Sequence, residues 1–105
     1  MTIATYYYLI LGGKPKLKDI FKELYTVAAS WKSIGTLLGI PGHILDNIKS
    51  SEERVDERLR EMLSEWLKQI DPPPTWTALA EAVEVIDESK AQRLRQCSLK
   101  HDDHV

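Results

Sequence analysis

Cysteine is nearly missing from this chain: Cys97 stands alone among 105 residues. That excludes an internal disulfide framework and fits a reducing compartment, so a cytoplasmic location is expected. Long apolar runs are missing as well. The run Tyr6–Leu11 falls far short of the roughly 20 residues that a membrane-spanning helix needs. It also lacks the basic n-region and small-residue cleavage site of a signal peptide. Net charge is scarce, with 14 Lys and Arg against 16 Asp and Glu for a balance of −2, which argues against a strongly basic nucleic-acid binder. No glycine-rich loop precedes a helix, and no Walker or Rossmann pattern is present. No Ser–His or Cys–His arrangement suggests a nucleophile. His101, Asp102, Asp103 and His104 are contiguous and terminal, with nothing to orient them as metal ligands. Neither catalysis nor a metal or cofactor is therefore expected.

The balanced charge hides a polarised layout. Residues 1–50 carry six basic and three acidic groups, for +3; residues 51–88 carry four and eleven, for −7; residues 89–105 carry four and two, for +2. A chain of this kind folds with basic and acidic faces, through which one copy can attract another. With 43% hydrophobic and 29% charged residues it is too apolar to be wholly disordered and too polar for a membrane bundle. Its length allows a single domain.

Six helical segments are legible. Leu17, Ile20, Phe21 and Leu24 mark one face of the first. Trp31, Ile34, Leu37 and Leu38 mark the second, with Gly39 as its stop. Pro41-Gly42 opens a short third, with Ile44, Leu45 and Ile48 inward. The fourth is the clearest, with Val55, Leu59, Met62, Leu63, Trp66, Leu67 and Ile70 in one stripe, and Ser50 with Glu53 at capping-box spacing ahead of it. Asp71-Pro72-Pro73-Pro74 ends it. Thr75 caps a fifth helix, with Trp76, Leu79, Ala80, Val83 and Ile86 on one face. Asp87 caps a sixth, from Glu88 to about Ser98. Residues 1–15 read as an arm, 16–98 as the domain, and 99–105 as a frayed tail. The Tyr-rich arm has β character, and an extra element or an aggregation-prone edge is the alternative reading. Short connections predict antiparallel neighbours and an all-α bundle with one core. That core is expected to hold Trp31, Leu38, Leu59, Leu63, Trp66, Trp76 and Leu79.

These residues resemble the death domain. The matching pattern runs Trp31, Ile34-Gly35, Leu38-Gly39-Ile40-Pro41, Leu45 and Ile48, then Val55, Leu59, Met62-Leu63 and Trp66-Leu67, then Thr75-Trp76 and Leu79. In pattern it is closest to death domains of invertebrate animals. The resemblance covers about residues 16–98, and the Tyr-rich arm and the triple proline depart from the family pattern. It implies the death fold, a six-helix antiparallel Greek-key bundle. It also implies a non-enzymatic module that binds other death domains, itself or a relative, and that assembles signalling complexes in apoptosis or innate immunity. No small molecule, nucleic acid or membrane is implied as a partner.

The resemblance further implies three asymmetric contact types, carried over here by position. The first sets Lys32 and Asn47 against Lys18, Lys22, Glu57 and Arg60. The second sets Lys68, Gln69 and Asp71 against Asp87, Glu88 and Lys90. The third sets Asp46 and Lys49 against Ser51, Glu52 and Arg54. The bland alternative for the charged face of the fourth helix (Asp56, Glu57, Arg58, Arg60, Glu61, Glu65 and Lys68) is a solvated surface. Two other readings compete with the death domain. One is a helix-turn-helix nucleic-acid binder built on the Gly39–Gly42 turn, which lacks an arginine cluster to neutralise phosphates. The other is a related death-fold subfamily such as a caspase-recruitment domain, against which the Trp-Leu and Thr-Trp pairs argue.

Overall fold

A computed structural model describes residues 14–102, with side chains through Cys97. The Tyr6–Leu11 arm and the His101–His104 cluster lie outside the described residues and side chains. Among the described residues every regular element is helical, without a strand. It forms α1 (Leu17–Leu24), a 3-10 segment (Tyr25–Ser30), α2 (Trp31–Leu37), α3 (Gly42–Ser51), α4 (Val55–Leu67), α5 (Trp76–Glu84) and α6 (Glu88–Asp102). None of these helices is long and apolar enough to cross a membrane. The chain divides into two compact units where one was expected. The first spans Lys16–Lys68, and the second is described from Gln69 to Asp102.

In the first unit α4 packs against α1, the 3-10 segment, α2 and α3. Its Leu59, Met62, Leu63 and Trp66 are buried, as are Ile20 and Leu24 of α1, Trp31 and Ile34 of α2, and Leu45 and Ile48 of α3. Burying side chains of this size stabilises by roughly 1.5–3 kcal/mol each relative to exposure. Gly35 makes the close approach of α2 possible. A Cβ there would lie 2.7 Å from Leu45 Cδ2 and 3.0 Å from Met62 Cγ. The chain leaves α2 through Gly39 at φ +86°. The Ile40 amide donates to Gly35 O at 3.0 Å and the Gly39 amide to Thr36 O at 3.1 Å. These two bonds form a Schellman stop, which needs the left-handed residue that glycine supplies without strain.

Two expectations about the apolar face change here. Leu38 is only half-buried and Leu37 is exposed. Because the helix closes at Gly39, the chain turns, and Ile40 takes the buried place instead, at 5% exposure. The stripe on α4 also ends earlier than its spacing suggests. Lys68 is the C-terminal cap, and Ile70, beyond it, is 84% exposed.

The second unit consists of α5 packed on α6, after a loop containing a cis Asp71–Pro72 bond. Trp76, Leu79, Ala80 and Val83 of α5 and Ala91 and Leu94 of α6 are buried. Both expected caps are present. The Ala78 amide donates to Thr75 Oγ1 at 3.1 Å, and the Lys90 amide to Asp87 Oδ1 at 3.0 Å. The expected capping box does not form. α4 begins after Arg54, whose side chain makes no cap bond. Ser50 is still inside α3, where its hydroxyl donates to Asp46 O at 3.1 Å. The spacing was right, but the preceding helix had already used the serine. α6 runs to Asp102, past Ser98. No glycine or proline interrupts it, and helix can continue without an apolar period.

Candidate interaction surface

The charged positions come from helix faces left over once the apolar stripes are buried. On α1, Lys18 and Lys22 are exposed, one turn apart. Phe21 lies between them, half-buried, with Tyr25 edge-on at 5.9 Å between ring centroids. The Arg60 guanidinium of α4 sits 5.4 Å from the Phe21 centroid. Arg60 is thus a cation held over a ring, and Glu57, one turn before it, is half-buried. Together these residues form a basic, aromatic face shared by α1 and α4.

On the α2–α3 side, Lys32 Nζ meets Asp46 Oδ1 at 3.0 Å. The resemblance implies different contacts for the two, the first and the third; within one chain they pair with each other. Both are about half exposed or more, 48% and 68%, so the pair is a weak one that a partner can displace. Asn47 and Lys49 are exposed beside them. The Ser51 hydroxyl donates to Asn47 O. Glu52 is half-buried, and Arg54 is paired with Asp56 at 2.9 Å.

Lys68, at the end of the first unit, pairs with Glu65 at 3.1 Å. In the second unit Asp71 and Glu88 are exposed, Gln69 and Lys90 half-buried. Asp87 spends one carboxylate oxygen on the α6 cap, so part of its role is structural. Exposed large aliphatics occur in both loops of this unit: Ile70, and Val85 at 72%.

Two features were not foreseen. Arg58, on the charged face for which a solvated surface is the bland alternative, is half-buried. Its Nε donates to Glu52 O at 2.7 Å and its Nη2 to Lys49 O at 3.1 Å, which satisfies carbonyls at the C-terminal end of α3. The other is a groove of about 390 Å³ along α3 and α4. Ile44 and Ile48 are its apolar lining residues; Asn47, Ser51, Glu52, Glu61 and Glu65 are its polar and acidic ones. Glu61 and Glu65 are one turn apart on α4, which is legible in the sequence; that α3 lies alongside them is not.

The surface therefore offers one basic aromatic face and one acidic groove, both on the first unit. Against known families, the model described as Death domain matches residues 14–98. No curated protein and no solved structure matches the chain significantly.

Proposed function

The chain belongs to the death domain family, modules of the all-α death fold that bind other death-fold domains and are not enzymes, and from that premise we propose that it is an adaptor-type domain in the cytoplasm. It assembles signalling complexes in apoptosis or innate immunity by binding another death domain, its own or a relative's. The working domain covers residues 16–98. The observation that carries this reading is the match over residues 14–98, which takes in six of the seven helical elements whole. The opposed charge of its surfaces supports it. The contacts use Lys32 and Asn47 against Lys18, Lys22, Glu57 and Arg60, with the second and third sets acting alongside. Single exposed pairs contribute about 0–1 kcal/mol each, so stable assemblies need several contacts acting together.

The test is a sedimentation series over protein concentration and salt, alone and mixed with other death domains. Association that strengthens at low salt is expected. Failure to bind any death domain at low salt, with tight, salt-sensitive binding to duplex DNA, would overturn the reading.

A further inference from the structure

We infer that the acidic α3–α4 groove is a docking site for a second copy of this chain, and that the face of α1 bearing Lys18 and Lys22, continued by Tyr25 at the start of the 3-10 segment, enters it. The inference rests on the reading above, that the chain binds death domains, and adds a surface and an occupant.

The groove has the character of a receptor for an amphipathic cation. Its apolar lining comes from Ile44 and Ile48, its charge from Glu52, Glu61 and Glu65. Lys68 neutralises Glu65, and the Arg58 guanidinium lies at the Glu52 end, spent on backbone carbonyls. Glu61 is exposed and has no ion-pair partner among the described residues. It also stands one turn from both Glu57 and Glu65, like charges that destabilise a helix at that spacing, and the one cation a turn away, Arg58, is bonded to backbone carbonyls. An incoming cation relieves that repulsion.

The chain carries a matching projection. Lys18, Lys22 and Tyr25 follow one another at i, i+4 and i+7, so they share a face. Tyr25 is 55% exposed, with its ring braced edge-on by Phe21. It is a large ring with little rotamer freedom to lose, preceded by two ammonium groups on the same face. In the proposed contact the Tyr25 ring lies against the half-buried Ile44, with the edge of Ile48 beneath it, and Lys22 pairs with Glu61. Donor and acceptor are different patches of one molecule, so the contact is head-to-tail and propagates into chains unless the rotation closes a ring.

The test uses the full 105-residue chain. Glu61→Lys and Lys22→Glu are each expected to weaken self-association by at least about tenfold, because each places like charges across the contact. Glu61→Lys is not expected to unfold α4, since it sets a lysine one turn from two glutamates, Glu57 and Glu65, against one like charge, Arg58; an unchanged helical signal checks this. Combining both substitutions in one chain restores the pair with its signs exchanged and is expected to restore association. Concentration-dependent methyl shifts at Ile44 and Ile48, lost in Tyr25→Ala, locate the contact. Self-association of the native chain that neither reversal changes overturns this inference and leaves the broader reading standing. A native chain that stays monomeric at low salt also overturns it, while binding to a different death domain would still uphold that reading. Rescue failing in the double variant overturns the Lys22–Glu61 pairing.

Discussion

At the scale of single residues, Thr75 combines two roles that can be separated. It is 1% exposed, and its hydroxyl oxygen accepts the Ala78 amide at the start of α5. Thr75→Val keeps the shape and removes the acceptor, leaving that amide without a cap. A loss of about 1–2 kcal/mol is expected in urea unfolding, and Thr75→Ser should recover most of it. Gly35 poses the opposite problem, space rather than polarity. Alanine there gains about 1 kcal/mol of helix propensity, but its Cβ must push on Leu45 and Met62, both essentially buried. Valine settles the sign, because its branches have nowhere to go; Gly35→Val is expected to destabilise by about 2–3 kcal/mol or more. The caps at Thr75 and Asp87 were legible because capping is local: the acceptor and its amide lie within three residues. The tightness at Gly35 was not, because it depends on two helices that the sequence does not place. Leu38 shows the same limit, since one left-handed glycine shifts the buried position to Ile40.

At the scale of elements, α4 organises its unit because it alone packs on α1, the 3-10 segment, α2 and α3. Its apolar stripe was legible from Leu59 to Leu67 because a helix buried on one side repeats with the period of the helix. Its ends were not. Ser50 and Glu53 have the right spacing, yet the serine belongs to α3, and Ile70 continues the period after the helix has stopped. Periodicity marks which face is buried and says little about where the hydrogen bonding ends. Arg58 ties these two helices by a means no pattern reveals, two donors on carbonyls six and nine residues earlier. Arg58→Met keeps much of the side-chain bulk and removes the donors. The expected cost is about 1–2 kcal/mol, since the charge-assisted bonds are lost while water can reach part of the site. Lysine at this position should recover less than half, because it cannot span both carbonyls with a planar fork. Urea midpoints for the three proteins, measured side by side, check the order.

At the scale of the whole molecule, the question is whether charge pattern or net charge drives the proposed association. Exchanging Glu57→Lys together with Arg60→Glu leaves the net charge at −2, so net charge cannot account for any change in association. Arg60 also rests on Phe21, and losing that cation–π contact is expected to cost about 0.5–1 kcal/mol. The helical signal should therefore survive with a slightly lower midpoint. Association should fall well below that of the native chain. Salt gives an independent reading: the Debye length shortens from about 8 Å near 0.15 M to about 3 Å at 1 M. Native association should decline over that range, and the double variant should respond to salt much less. Loss of the helical signal in the variant would mean that Glu57 and Arg60 hold the fold rather than the partner. Association that salt leaves unchanged or strengthens would instead point to apolar contact. Ile70 and Val85, the two large aliphatics exposed beyond 70% among the described residues, would then be the positions to replace with serine.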